Sequence, residues 1–220
     1  SAWLDRNPPR QRNGPTNRAM LGIGGGTPGG LIRDATYDAA NRMTSVTVGG
    51  KTYTLEYDPN GNLVRKRNTS DPADTTTYGW DPRNRLTALA GPGLAASFAY
   101  DPLGRRIARN VNGDTTAYLH DGDQAIGELR AGQTTVLLTG LLIDEALARY
   151  AASGRLDQLT DHLGSVIAQH DASGAATSQS TYSPYGEAST SGDPQGNSTG
   201  YTGREQDGTG LNFHRARYYD

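Results

Sequence analysis

The sequence contains no cysteine and few of the largest apolar residues. Its 220 residues include 2 Met, 2 Trp and 2 Phe, and hydrophobic residues make up 34% of the chain. Without cysteine the chain can form neither a disulfide nor a metal site built on thiolates. This absence is compatible with synthesis in the cytoplasm and with export, so it does not decide the compartment.

The sequence also lacks an excess of charge and a long apolar run. Its formal net charge is -2, which excludes the broad basic surface of a nucleic-acid-binding protein. The arginines of residues 6–18 lie among Pro and Asn, a pattern typical of a solvated arm. No stretch approaches the roughly 20 apolar residues of a membrane helix. We therefore expect no nucleic-acid partner and no membrane span.

The first residues do not have the pattern of a secretory signal peptide. Residues 1–18 are polar and rich in Pro, whereas a signal peptide needs a basic start followed by an apolar stretch. We expect residues 1–32 to form a Gly/Pro-rich flexible or irregular segment. If the protein is secreted or displayed at the cell surface, a dedicated system would have to export it.

Glycine, proline and tyrosine are abundant, with 29 Gly, 11 Pro and 12 Tyr. Such a composition fits either a disordered chain or a β-protein with many turns. Tyr, Val, Thr and Leu recur between the turn residues at regular intervals, and disordered chains are poor in these residues. The composition therefore favours an all-β fold with many turns.

One short unit occurs four times, with its aromatic residues 20, 23 and 20 positions apart. Each copy has an aromatic residue, then Asp, usually Pro, and then Gly or Asn before an aliphatic position. The Asp side chain can accept hydrogen bonds from nearby backbone N–H groups, and Gly or Asn tolerates a positive φ. We therefore predict β-turns at these residues: Tyr37, Asp38, Tyr57, Asp58, Gly61, Trp80, Asp81, Asn84, Tyr100, Asp101 and Gly104.

The segments beside these turns alternate between apolar and polar residues. In residues 51–57, Tyr53, Leu55 and Tyr57 share one face, which is the period of two expected of a half-buried strand. A single repeat cannot bury its own face, whereas stacked repeats bury a continuous one. The pattern predicts β-hairpins joined into one sheet, together with one candidate helix at residues 144–151.

The unit resembles the YD repeat of Rhs (rearrangement hot spot) proteins, and the second half of the chain strengthens the resemblance. Five segments there are similar, in the same order, to segments of the Rhs-associated core domain. The last of them resembles the sequence Arg-Ala-Arg-Tyr-Tyr-Asp of that domain. The residues that carry this similarity are Asp161, His162, Gly164, Ser165, Tyr182, Pro184, Tyr185, Gly186, Gly203, Arg204, Gly210, Leu211, Arg215, Arg217, Tyr218, Tyr219 and Asp220.

The resemblance implies a fold and a domain organisation. YD-repeat hairpins would form a curved, spiralling sheet, part of a hollow cocoon shell, with strands also at residues 144–151. Residues 33–130 would be YD repeats, and residues 131–220 an Rhs-associated core domain that stops before the family's self-cleavage motif. That motif would lie beyond Asp220, so we expect no enzyme activity from this chain.

The resemblance also implies partners and a function. The expected partners are the remainder of the shell, an encapsulated C-terminal toxin, and a secretion-spike protein or toxin-complex subunit. The chain would be a structural shell and core segment of a polymorphic toxin used in bacterial competition. The alternative is a cell-surface adhesion or carbohydrate-binding module built on the same repeats. The sequence that follows Asp220 would separate these two functions.

Several residues could be interpreted as metal-binding or catalytic residues, and each has a simpler structural explanation. The repeat Asp residues fit turn capping better than Ca²⁺ binding, and no His pair has zinc spacing. Asp161, His162 and Ser165 lie within one turn, which does not favour a catalytic triad. We therefore expect no cofactor and no metal. Arg215 and Arg217 would support the neighbouring self-cleavage site or, alternatively, belong to an ordinary edge strand.

Overall fold

The computed structural model describes residues 32–183, 186–215 and 218–219. The irregular segment expected at the N-terminus lies outside these residues, apart from Ile32, and so do Pro184, Tyr185, Arg217 and Asp220. Sixteen strands form one antiparallel sheet in sequence order. They are β1 (Ile32–Tyr37), β2 (Met43–Val48), β3 (Lys51–Tyr57), β4 (Leu63–Asn68), β5 (Thr75–Trp80), β6 (Leu86–Gly91), β7 (Leu94–Tyr100), β8 (Arg106–Val111), β9 (Asp114–Asp121), β10 (Gln124–Arg130), β11 (Gln133–Thr139), β12 (Ala146–Ala151), β13 (Gly154–Thr160), β14 (Val166–His170), β15 (Ala176–Tyr182) and β16 (Ala188–Gly192).

A second, smaller sheet follows the large one in the chain. It contains β17 (Glu205–Gln206), β18 (Asn212–Phe213) and β19 (Tyr218–Tyr219), after a single 3₁₀ turn at Tyr201–Gly203. The described residues contain no α-helix, and none of their helical segments is long and apolar enough to cross a membrane. The expectation of an all-β fold is confirmed.

The repeated turn has the same hydrogen bonds in every copy. At the second copy Gly61 N donates to Asp58 O (3.0 Å), and Asp58 N donates to Asn62 O (2.9 Å). The Asp58 carboxylate also accepts from Asn62 N (2.8 Å). Gly61 has φ 88° and Asn84, at the equivalent position, has φ 59°, which explains why Gly and Asn alternate there. The turn occurs at Asp38, Asp58, Asp81, Asp101, Asp161, Asp171 and Ser183.

The aromatic residue of the repeat ties its own hairpin together. The Tyr57 hydroxyl donates to the carbonyl of Met43 (2.8 Å), the first residue of the preceding strand. Trp80 and Tyr100 do the same through Nε1 and the hydroxyl, and so does Tyr182 in the second half of the chain (2.7 Å). The position therefore needs an aromatic side chain with a polar tip, which pairs an apolar body with a donor.

The candidate helix at residues 144–151 is wrong, and the strand that the resemblance implied there is confirmed. Residues Ala146–Ala151 form β12, which pairs with β11 on one side and β13 on the other. Strand pairing on both sides satisfies the backbone and overrides a local helical pattern. The large sheet also continues without a break across residue 131, and the division of the chain at that residue remains a prediction.

One face of the large sheet is buried, and the small sheet lies on it. Leu86, Leu89, Ala96 and Phe98 form the apolar core of this face. Leu211 and the aromatic ring of Tyr218, from the end of the chain, pack against that cluster. We call the described part of residues 197–219 the strap, because it crosses this face of the sheet.

The strap shows that the buried face is concave. Gly200 lies against β14, since Val166 N donates to its carbonyl (3.1 Å), and Leu211 packs against β6 and β7. In a flat sheet β6 and β14 would be about 38 Å apart. Gly200 N donates to Arg204 O (2.8 Å), and Gln206 pairs with Asn212, the neighbour of Leu211. These pairings limit the distance from Gly200 to Leu211 to about 20 Å, so the sheet must curve.

Candidate functional site

The strap is held on the concave face by three clusters of charged side chains. The central cluster surrounds Arg106, the first residue of β8. In the other three copies of the repeat the equivalent residues are Met43, Leu63 and Leu86. Arg106 is 1% exposed and therefore fills a core position that the repeat elsewhere gives to an aliphatic side chain.

The guanidinium of Arg106 binds two carboxylates of the strap. Nη2 donates to Glu205 Oε2, and Nη1 donates to Asp207 Oδ2 (2.5 Å). The Asp207 side chain is fully buried. Aromatic rings surround the cation, with the Phe213 centroid 4.0 Å away and those of Phe98 and Tyr118 beyond it. The face of an aromatic ring attracts a cation, most strongly where water is excluded.

The environment of Arg106 keeps it charged. Burial alone would lower its pKa, but the negative charges of Glu205 and Asp207 raise the pKa well above its usual value. Burial raises the pKa of both Tyr118 and Tyr218, so their hydroxyls stay protonated. The site is an ion pair removed from water, where losing one partner is strongly destabilising.

A second cluster forms around Asp144, in the loop between β11 and β12. Its carboxylate accepts from Arg215 (2.5 and 3.1 Å) and pairs with Arg204 (2.6 Å). Gly203 approaches the loop so closely that a Cβ at this position would lie 2.6 Å from the Asp144 backbone oxygen. Gly203, Arg204 and Arg215, all predicted from sequence as core-motif residues, therefore converge on Asp144, which was not predicted.

Two histidines lie near this second cluster, and their surroundings favour the neutral imidazole. Burial lowers the pKa of His214, and the neighbouring Arg204 lowers it further. Burial and Arg105 lower the pKa of His120 in the same way. A cavity of about 410 Å³ lies between these side chains and the sheet, and its lining includes His120, Glu128, Arg204 and Arg215.

A third cluster anchors the start of the strap. Arg149 is 2% exposed and donates to Glu128 Oε2 (3.0 Å) and to Asn197 Oδ1 (2.9 Å). Ser198 Oγ donates to the other oxygen of Glu128 (2.9 Å), and Gln158 donates to Asn197 (3.1 Å). These contacts connect β10, β12 and β13 to the strap through buried polar groups whose hydrogen bonds offset the cost of burying them.

The predicted segment around Asp161 is a repeat turn. The Asp161 carboxylate accepts from Leu163 N (2.8 Å) and Ser165 N (2.9 Å), and Gly164 has φ 81°. The Ser165 hydroxyl accepts from Thr202 N of the strap (3.0 Å), while His162 is exposed. The structure thus places Ser165 at a strap contact, with His162 turned to solvent.

The other residues predicted from the Rhs core-domain motifs also lie at turns or at contacts with the strap. Gly186 has φ 91°, and a Cβ there would lie 2.8 Å from the Tyr201 ring. Gly210 has φ 83° in the loop that carries Asp207. The Tyr218 hydroxyl lies 2.9 Å from that of Tyr100, and the Tyr219 backbone belongs to β19.

The repeat turns of the first half lie side by side at the same end of successive hairpins, and neighbouring turns are joined by hydrogen bonds. Arg85 donates to Asp101 O (3.1 Å), and Arg105 donates to Gly122 O (2.7 Å). Each of these arginines also pairs with the Asp of its own turn. The predicted turn residues therefore form a row across the ends of the strands and do not converge on a single site.

Sequence reasoning missed the residues on the sheet that receive the strap: Arg106, Glu128, Asp144 and Arg149. For Arg106 a signal was present, since it breaks the aliphatic pattern of the repeat. Glu205 and Asp207 lay within recognised segments, but they had no assigned role. Their partner is about 100 residues earlier in the chain, and no local pattern reports such a contact.

Comparison with known proteins agrees with this geometry. The repeated turn and the open antiparallel sheet define a β-repeat protein. The model of the RHS repeat matches twice, at residues 37–71 and 57–93. Residues 37–93 are therefore RHS repeats, and the same turn recurs along the rest of the large sheet. It matches no curated protein.

Solved structures share the fold at low sequence identity. A crystal structure of TcdB2-TccC3-Cdc42 aligns with a TM-score of 0.55 and 18% identity, covering 86% of this chain and 14% of that one. A Photorhabdus luminescens Tc holotoxin pore aligns with a TM-score of 0.50 and 16% identity, covering 85% and 13%. The crystal structure of TcdB2-TccC3-TEV aligns with a TM-score of 0.50 and 16% identity, covering 84% of this chain and 13% of that one. The chain thus spans about a seventh of the length of these similar chains.

Proposed function

We propose that this chain is a structural segment of the shell of an Rhs-type toxin-complex protein. The large sheet contributes strands to the shell wall, and the strap closes over its concave face. The observation that carries this proposal is the continuous repeat sheet with its concave face. The likeness in fold to TcdB2-TccC3 and to a Tc holotoxin pore supports it.

The ends of the sheet fit a position within a longer wall. Among the described residues β1 pairs only with β2, and β16 pairs only with β15. All five residues of β16 are exposed, and its sequence, Ala-Ser-Thr-Ser-Gly, has no charge or Pro to prevent further pairing. Strands of the same parent protein are the natural partners of these edges. Expressed alone, the chain should therefore self-associate at micromolar concentration.

The concave face fits the enclosure of a cargo. β19 pairs with β18 inside the small sheet, and the Tyr218 ring contacts Phe98 on the concave face. A polypeptide that continues from Tyr219 therefore starts on that face. We propose that an encapsulated C-terminal toxin follows there and that a self-cleavage site beyond Asp220 releases it. In this proposal the present residues supply support and no catalysis, and the complete protein acts outside the cell that makes it.

The test is the complete reading frame, purified as one protein and treated with a protease of broad specificity. We expect the segment after Asp220 to resist digestion until the shell is unfolded with denaturant. The matched control is the same segment expressed alone, which should be cut quickly. If the segment in the whole protein is digested as fast as the free one, encapsulation is wrong. A cell-wall anchor in its place would favour the adhesion module.

A further inference from the structure

We propose that the strap sets the curvature of the large sheet and that Arg106 is the residue that holds the strap in place. This inference concerns a conformational device within the chain and does not rest on the proposed toxin function. When it is docked on the concave face, the strap joins strands that are distant from one another in the sheet. Without that connection the sheet would relax to a flatter form.

The contacts of the strap connect strands on opposite sides of the concave face. Ser198 binds Glu128 of β10, Gly200 binds β14, and Leu211 packs on β6 and β7. The strap spans about 20 Å, whereas the strands that it joins would be about 38 Å apart in a flat sheet. A connection that short can form only when the sheet is bent, and it resists flattening once formed.

The hydrogen bonds of the Arg106 side chain all go to the strap. The other repeats build the same hairpin with Met43, Leu63 or Leu86 at this position. The side-chain acceptors of Arg106 are Glu205, Asp207 and Tyr218, and all three belong to the strap. An arginine so deeply buried is costly without its carboxylates, so release of the strap is opposed at this point more than at an apolar contact.

The absence of cysteine makes a direct distance measurement possible. Thr54→Cys on β3 and Gln179→Cys on β15 would place two spin labels on exposed positions of the convex face. Double electron–electron resonance measures the distance between the two labels. The labelled full chain is diluted with unlabelled chain, so that only distances within one molecule are detected. Hydrogen exchange of residues 198–213 reports whether the strap is docked.

The decisive variant is Arg106→Leu, which gives the fourth repeat the residue type of the third. We expect exchange in the strap to become about tenfold faster while the repeat strands stay protected. We also expect the label distance to lengthen by at least about one strand spacing, ~5 Å. The matched control is Arg155→Leu, since Arg155 is half exposed and pairs with Asp157 on the convex face, opposite to the strap. That variant should change neither measurement.

A second variant removes the opposite charges. Glu205→Gln with Asp207→Asn leaves Arg106 buried without a carboxylate, and it should release the strap and lengthen the distance in the same way. If the strap is released in either variant and the distance stays the same, the sheet is curved by itself and the proposal is overturned. If Arg106→Leu leaves the strap protected, Arg106 does not hold it, and the proposal is overturned as well.

Discussion

The concave face has an apolar half and a polar half, and the strap matches both. On β6 and β7 the face presents Leu86, Leu89 and Phe98, and the strap covers them with Leu211 and Tyr218. On β10 to β15 most of the buried residues are polar, with Leu156 and Val166 beside them, and the strap covers part of the polar residues with Asn197 and Ser198. The residues of this polar half are Glu128, Arg149, Gln158, Gln169 and Ser178.

The residues of the strap therefore match the chemistry of the part of the face that each of them covers. Strands of one repeat family would be expected to bury one kind of side chain, yet the buried residues change where the strap changes. Arg106 lies between the halves, with aromatic rings and carboxylates both in contact. Each half can be tested by removing one side chain and asking whether the other half survives.

The largest effect is expected from the apolar half. Phe98→Ala should lower the free energy of unfolding by about 3–5 kcal/mol, because it leaves a cavity beside Leu86 and Tyr218. Chemical denaturation measures this loss. The control is Leu129→Ala, on the exposed convex face, which should stay within about 0.5 kcal/mol. Comparable losses in the two variants would show that the apolar cluster is not the core.

The polar half should be nearly as sensitive to a single substitution. Arg149→Met leaves the Glu128 carboxylate buried without its cation and should cost about 3–5 kcal/mol. Adding Glu128→Gln removes that charge and should restore part of the stability. The same denaturation experiment compares the two variants. A double variant no more stable than Arg149→Met would mean that the ion pair is not the source of the loss.

Acid should weaken the turns and connections along the large sheet. Hydrogen bonds from Lys51, Asn68 and Tyr53 lower the pKa of Asp74 from its usual 3.8 to about 2. Backbone and side-chain donors also lower the pKa of turn carboxylates, including Asp38 and Asp171. A carboxyl with a lower pKa in the folded state stabilises the fold above its unfolded pKa and loses that contribution as the pH falls through the folded value.

The stability of the chain should therefore fall between about pH 3.8 and pH 2. Thermal melts across this range would measure the change. Asp74→Asn is the matched variant, because it keeps the shape of the side chain and removes one titrating group. It should be less stable at neutral pH and less sensitive to acid. An unchanged slope in that variant would contradict the role given to Asp74.

The smallest effects are expected at single turns. Gly61→Val and Gly104→Val should each cost about 1 kcal/mol or more, because a branched residue at positive φ is strained. Nothing lies within 4 Å of a Cβ at either position, so the strain comes from the backbone alone. Asn84→Gly should be tolerated. Thermal melts in which Val is equally harmless at all three positions would refute the positive-φ role.

The local features of this fold could be predicted from the sequence. The Asp of each turn and the alternation in β3 report interactions within about ten residues, and the structure shows the expected antiparallel hairpins. The stretch that became β12 gave the wrong answer, because its pairing with β11 and β13 is decided by neighbours and not by its own pattern.

The site could be predicted only in part. The sequence pointed to Gly203, Arg204 and Arg215 through resemblance, without indicating that Asp144 joins them. Arg106 and Asp207 are 101 residues apart, and their contact exists only because the sheet bends and the strap returns across it. Such a contact depends on the whole topology, and one sequence does not report it.

The strap also limits how this chain can change in length. One added repeat contributes two strands, and it would move the strands on either side of it apart by about 10 Å. Between β8 and β12 that shift would separate Arg106 from Arg149, and one strap could no longer reach both. Repeats added before β3 would leave every anchor in place. Growth and loss of repeats should therefore be confined to that end of the sheet, while the number of strands beneath the strap stays constant.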